Sequence, residues 1–278
     1  MKKTIKKEPH INKNYKVSIL TTIKDKNDFL SNTLLSIKNQ VTDYDYNLCI
    51  VDDGSKESPL PIIKKFFKDE KIIFKRHEKS VGIAYLASSL IDIIPEDTDI
   101  VIYQSCDVIW RFSHTMQSIV HNLESNEQCV VVPKIANFRI PKTAWTAGQN
   151  YNKVLDLCHN NPKLTGEPKD PSYLFLAGMT KDNFIRMASE QEYQCDEWTK
   201  KTLFDKEKMN LSYLIFDKIY AIHQCHEHIL FDCGNADRCP MHWCNRKTFK
   251  KLGIDLPFNQ GFFKPEKGTF EIPLPKEK

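Results

Sequence analysis

Along residues 17–103, short apolar runs alternate with stretches of helical periodicity, and this alternation constrains the fold more than any single motif. Val17-Ser18-Ile19-Leu20 reads as a strand, and Phe29, Leu30, Thr33, Leu34 and Ile37 then recur at the spacing of one helix face. Leu48-Cys49-Ile50-Val51 is a second strand that closes on Asp52-Asp53-Gly54-Ser55, and a helix from Pro59 to Phe67 follows, with proline suited to its first turn. Ile72-Ile73-Phe74, a helix from Ile83 to Ile94, and Ile100-Val101-Ile102-Tyr103 complete the series. Continuous apolar strands are strands buried on both faces, so four strand–helix units predict a mostly parallel α/β sheet with helices on both faces. Right-handed crossovers then bring the loops at the carboxyl ends of the strands to one edge, where such sheets bind ligands.

Composition removes several alternatives. With 278 residues, 41% hydrophobic and 27% charged, the chain has enough apolar content for one core carrying two lobes and is too apolar to be mainly disordered. A net charge of +4 gives no electrostatic footprint for nucleic acid. The nine glycines nowhere form Gly-x-Gly, which excludes the dinucleotide fingerprint; a Walker-type loop, a His-Glu-x-x-His zinc site and a Gly-x-Ser-x-Gly nucleophile elbow are equally missing. No apolar run approaches the roughly 20 residues of a membrane span, and Met1-Lys2-Lys3 leads into Glu8-Pro9-His10 rather than a leader core. A cytoplasmic chain is expected, with at most peripheral membrane contact through its N-terminal lysines. Nine cysteines without a secretory leader predict free thiols.

The acidic residues sort by strand end. Asp52 and Asp53 follow the second strand and Asp107 follows the fourth, so all three fall at the ligand edge, where carboxylates accept hydrogen bonds from a nucleoside or hold a cation against phosphates. Asp-Asp-Gly-Ser is also a good turn for purely local reasons. Two literal Asp-x-Asp triplets, Asp43-Tyr44-Asp45 and Asp97-Thr98-Asp99, precede their strands and are expected at the opposite edge as solvated loop acids.

Val17 to Thr22, the helix from Phe29-Leu30 to Gln40, and Ile50-Val51-Asp52-Asp53-Gly54-Ser55 together resemble the nucleotide-binding half of the family 2 glycosyltransferases. Ser80-Val81-Gly82-Ile83-Ala84 matches that family's next helix start, with Ser in place of Asn. In Gln104-Ser105-Cys106-Asp107, Ser105 stands where the family usually has its first metal-motif acid and Asp107 falls on the last. The resemblance implies a GT-A, Rossmann-like fold with nucleotide and acceptor halves in one domain. It implies transfer of a sugar from a nucleotide-sugar, a UDP-sugar first, to a hydroxyl of a glycan, protein or lipid, with inversion. It also implies a nucleotide site at Thr21, Thr22, Asp52, Asp53, Ser105 and Cys106, with Asp52 on the base and Asp53 supporting the loop. Asp107 is then the ligand of Mn2+ or Mg2+, with His223 or His226 completing the shell. Leu176 to Thr180 and Cys195-Asp196-Glu197-Trp198 stand in the order of the acceptor half, which makes Asp196 the general base and Glu197 its alternate. Two exposed acids at a helix start would look the same.

The expected organisation is a basic tail over 1–15, a GT-A domain over 16–226 (16–110 nucleotide-sugar half, 111–226 acceptor half), and a Cys/His-containing extension over 227–278. Within that tail region Cys233, Cys239 and Cys244 with a histidine are candidates for a structural Zn2+, although only Cys239 and Cys244 approach the usual ligand spacing. Other readings are a GT-A-fold binding protein impaired in catalysis, motivated by Ser105, and a zinc-containing nucleic-acid binder. A nucleotidyltransferase would need a glycine-rich loop after the first strand, and Thr21-Thr22-Ile23-Lys24-Asp25-Lys26 has none.

Overall fold

The structure, a computed structural model, describes residues 14–81, 83–137, 176–190 and 209–223. Four strands, β1 (Lys16–Ile23), β2 (Asp45–Asp52), β3 (Ile72–Arg76) and β4 (Ile100–Ser105), lie parallel in the order β3-β2-β1-β4. They contain the four apolar runs of the sequence. Beyond β4 the sheet continues as β7-β6-β8-β5, built from β5 (Val108–Trp110), β6 (Cys129–Asn137), β7 (Leu176–Thr180) and β8 (Ser212–His223). Here the direction changes: β7 runs antiparallel to both β4 and β6, β6 and β8 are parallel, and β5 is antiparallel to β8.

Alternation along each strand sends side chains to two cores. On one face Val17, Ile19 and Ile23 of β1 meet Leu30, Leu34 and Ile37 of α1 (Asn27–Lys38), Ile63 of α2 (Leu60–Phe66), and Met116, Ile119, Val120 and Leu123 of α4 (Thr115–Ser125). On the other face Leu20, Cys49 and Val101 pack with Leu86 and Leu90 of α3 (Ile83–Ile91) and with Phe184, Met187 and Ala188 of α5 (Lys181–Glu190). Helices therefore cover both faces, as the continuous apolar strands require. The third helix stops earlier than its periodicity suggests, at Ile91, where Ile93 and Ile94 donate to Leu90 and Ile91 carbonyls in turns ahead of Pro95.

Two apolar runs in the second half, 214–216 and 219–222, belong to one strand. Val132 pairs with Ile215 and Lys134 with Ile219, so the register jumps across Pro133, which has no N–H to give the ladder.

Gly178 allows the second half to close on the first. A Cβ there would stand 2.2 Å from Cγ2 of Ile119 and 3.4 Å from Cδ1 of Leu123, so α4 rests directly on the β7 backbone. Overpacking of this kind costs about 1–3 kcal/mol, so Gly178→Ala should lower the urea midpoint. Ile119→Ala in the same chain should recover part of the loss, because it removes the colliding methyl.

Candidate functional site

The parallel register of β1 with both neighbours assembles the site. Ile23 pairs with Asp52 and Thr22 with Ser105, so the ends of β2 and β4 arrive on either side of β1. Asp52 is fully buried. Its Oδ1 accepts from the Ser55 amide at 2.9 Å, closing the turn, and its Oδ2 faces Nε of Arg76 at 3.3 Å. That oxygen accepts no hydrogen bond. Arg76 ends β3, where it pairs in register with Asp52, and its Nη2 donates to the Ser55 carbonyl at 2.6 Å.

Asp53 turns the other way. Its Oδ2 accepts from the Ser80 hydroxyl at 2.6 Å and its Oδ1 from the Val81 amide at 2.7 Å, tying the turn to the chain entering α3. Gly54 between them has φ +70, and a Cβ there would come within 2.9 Å of the Ser80 amide nitrogen. Only glycine meets both the left-handed backbone and the close approach.

Asp107 follows β4 in the short turn to β5, and α1 holds that turn in place. The Thr33 hydroxyl donates to the Cys106 carbonyl at 2.8 Å, and the Trp110 amide donates to Oγ of Ser36 at 3.0 Å. Nε2 of Gln40 donates to the Phe112 carbonyl at 2.8 Å, and its Oε1 accepts from the Met116 amide at 3.1 Å. Thr33 and Ser36, three apart, share a face of α1 beside the apolar one, and Gln40 follows just past the end of that helix. The buried Asp107 carboxylate meets Nζ of Lys26, the residue that precedes α1, at 2.5 Å through Oδ2.

The remaining expected nucleotide residues differ in setting. Thr21 is buried on the face shared with Ile19 and Ile23, beside Gln104 in register, and the Thr21 hydroxyl and Gln104 Nε2 have no hydrogen-bond partner. Gln104 Oε1 accepts from the Trp110 indole N–H. Thr22 lies on the opposite face, next to the half-buried Ser105. The Cys106 side chain belongs to the apolar core under α1 rather than to the rim. Burial first, and the Asp107 charge second, push its thiol up to about 12, which keeps it out of thiolate chemistry.

Asp196, Glu197 and His226 lie outside the described residues, as do Cys233, Cys239 and Cys244. His223 ends β8, and its backbone pairs with Val108, the residue after Asp107. Among the described residues, no three of His, Cys, Asp and Glu come together as a cation site. The two Asp-x-Asp triplets are at the amino edge. Asp45 opens β2 and pairs with Lys16 at 3.0 Å, and Asp99 precedes β4 and accepts from the Lys16 amide at 2.9 Å. Cys49, Cys106 and Cys129 are free and buried.

With the carboxyl edge described, the comparisons decide the family. Residues 18–188 match the model of glycosyl transferase family 2. The chain belongs to that family. A segment of 128 residues is 28% identical to chondroitin synthase of Pasteurella multocida (strain Pm70), covering 45% of this chain and 13% of that protein. Over 70 residues it is 31% identical to the uncharacterized glycosyltransferase YfnE of Bacillus subtilis (strain 168), covering 25% of this chain and 18% of that one. The chain thus spans only a small part of the length of these two relatives. Among solved structures, S. aureus TarS 1-349 in complex with UDP-GlcNAc superposes with a TM-score of 0.52 at 13% identity, over 76% of this chain and 58% of that one. The mannosyltransferase PcManGT from Pyrobaculum calidifontis, in complex with GDP-Man and Mn2+, gives 0.52 at 12% identity, over 88% and 67%. The family 2 chain has the GT-A fold.

Two outcomes check the local chemistry. Gln40→Ala removes both bonds that hold Phe112 and Met116, and it should lower stability by about 1–3 kcal/mol in urea unfolding. The second outcome concerns alkali. Cys49 and Cys106 are both raised from 9.0 to about 12, chiefly by burial. The folded state therefore keeps protons that the unfolded state releases. Their contribution to stability is complete below pH 9 and is lost as pH rises toward 12, so the melting temperature should fall across that window. Cys49→Ala combined with Cys106→Ala should flatten the fall.

Proposed function

We propose that this family 2 chain is a glycosyltransferase that moves a sugar from a nucleoside-diphosphate sugar to an acceptor hydroxyl, with inversion. One observation carries the reading: two fully buried carboxylates, Asp52 and Asp107, stand at the ends of β2 and β4 on either side of β1. Each is paired within the protein, Asp52 with Arg76 and Asp107 with Lys26, and this edge is where open α/β sheets receive ligands. Asp52 takes the nucleoside, its Oδ2 being a buried acceptor without a hydrogen bond. Asp53 spends both oxygens on Ser80 and Val81 and so shapes the pocket wall. The uridine donor is favoured as in the TarS complex with UDP-GlcNAc, and the GDP-Man complex of PcManGT makes guanosine the first alternative to test.

In an inverting transfer the acceptor oxygen forms a bond to the anomeric carbon as the bond to the diphosphate breaks on the opposite face. The hydroxyl proton goes to a carboxylate, for which Asp196 is the candidate, with Glu197 next to it. The electron pair leaves with the diphosphate, whose charge must be met. The described residues offer a divalent cation little: Ser105 brings no charge, Asp107 Oδ2 is held by an ammonium, which leaves only Oδ1 outside that pair, and among the described residues no three-ligand group forms. His223 would be the nearest further ligand by backbone position.

The donor half is assigned to 16–110 and the acceptor half to 111–226, with 227–278 as an extension. No helix among the described residues is long and apolar enough to cross a membrane. A cytoplasmic location goes with this reading. A donor-binding protein without turnover is the second reading, favoured by Ser105. Nucleoside-diphosphate release from a panel of UDP- and GDP-sugars separates the two. Release from one donor, lowered about a hundredfold or more by Asp52→Ala, is the expected result. Tight binding with no release would support the second reading.

A further inference from the structure

Among the described residues, Lys26 brings a cation onto Asp107 at the carboxyl edge of the sheet. Lys26 closes the loop between β1 and α1, and that loop is held on both sides. The Asp25 amide donates to Oγ of Ser55 at 2.9 Å, the Lys56 amide donates to Oδ1 of Asp25 at 2.8 Å, and Asn27 Nδ2 donates to the Glu57 carbonyl at 3.3 Å. Asp25 adopts φ 50, a left-handed conformation that Asp tolerates better than most residues. The backbone of Lys26 is thereby set against the turn that begins with Asp52, while its side chain spans to Asp107. The carboxylate of that pair is wholly buried and the lysine side chain is 29% exposed, so of the two residues only the lysine reaches solvent.

Charge counting gives the pair its meaning. Two acids with a divalent cation are neutral together, and one acid with one ammonium is neutral as well. With Ser105 in place of an acid, Lys26 and Asp107 taken together carry the same net charge as an acid pair with a metal. A metal at Asp107 Oδ2 would be repelled by the ammonium 2.5 Å from that oxygen, and a metal on Oδ1 would still meet the same charge across one carboxylate.

We infer that Lys26 is a donor-binding residue whose ammonium, held by Asp107, meets the donor's diphosphate in place of a divalent cation. This rests on the glycosyltransferase reading and adds the identity of the counter-charge. The test is calorimetric titration of the full chain with UDP, GDP, uridine and guanosine, in EDTA or with Mn2+. It compares wild type, Lys26→Met, Lys26→Arg, and the double variant Lys26→Met with Asp107→Asn. The double variant leaves no buried charge unpaired and guards against misfolding of the single one.

Wild type should bind one nucleoside diphosphate in EDTA, with Mn2+ changing the affinity by less than about threefold. Lys26→Met and the double variant should weaken it by about tenfold or more, as loss of a charge-assisted hydrogen bond does, while Lys26→Arg keeps most of it. The matching nucleoside should bind all four chains alike. Diphosphate binding that needs Mn2+, EDTA affinity unchanged in the double variant, or an equal loss for the nucleoside would each overturn the inference. If neither diphosphate binds with or without Mn2+, the donor reading fails and the inference falls with it.

Discussion

Strand β1 is hydrogen-bonded in parallel on both sides, and its register decides where every charged group of the rim stands. Pairing with β2 sets Asp52 beside Ile23, and pairing with β4 sets Ser105 beside Thr22, one residue short of the turn that carries Asp107. A slip of one residue along either ladder would move a buried carboxylate to the opposite face and strand it in an apolar core. Both faces of β1 are buried, Val17, Ile19 and Ile23 against one core and Leu20 against the other, so side-chain fit on each face opposes such a slip. Hydrophobic register and site geometry are the same constraint here.

Each buried carboxylate then meets a cation from the neighbouring element: Arg76 of β3 beside Asp52, and Lys26 before α1 on Asp107. Removing one partner of a buried pair costs about 3–5 kcal/mol, because the other charge stays in a poor solvent. Such pairs are weak sources of stability and strong determinants of position. Thr33, Ser36 and Gln40 have the same effect on the polypeptide around Asp107, fixing Cys106, Trp110, Phe112 and Met116 by side chain to backbone bonds. The rim is thus held in shape by side chains of α1 and of Gln40 just past its end.

Much of this was legible in the residues. Strands buried on both faces write themselves as unbroken apolar runs, so β1 to β4 and their parallel direction follow from the sequence, as does the placing of Asp45 and Asp99 at the far edge. The antiparallel β7 could not be read. The run Leu176 to Thr180 is short and carries no mark of its direction, and the stretch 133–175 before it has only weak periodicity. The union of 214–216 and 219–222 in one strand was hidden by the polar Asp217-Lys218 between them, where the register jumps. Thr33 passed as one member of an apolar stripe, and only polar residues recurring three and four positions apart along it hint at the staple. Lys26 gave no signal at all, since its partner lies 81 residues away and a lysine side chain reaches in many directions. Cys106 stood in a motif and still packs inward, its side chain belonging to the core cluster that includes Leu30, Leu34 and Ile37.

The most direct measurement is a crystal structure of the chain with UDP or GDP bound, grown in EDTA. The account places the nucleoside against Asp52 at the end of β2 and the diphosphate within hydrogen-bond reach of Lys26 Nζ. A nucleotide seated away from the carboxyl edge of β1, β2 and β4 would contradict it, whatever its affinity.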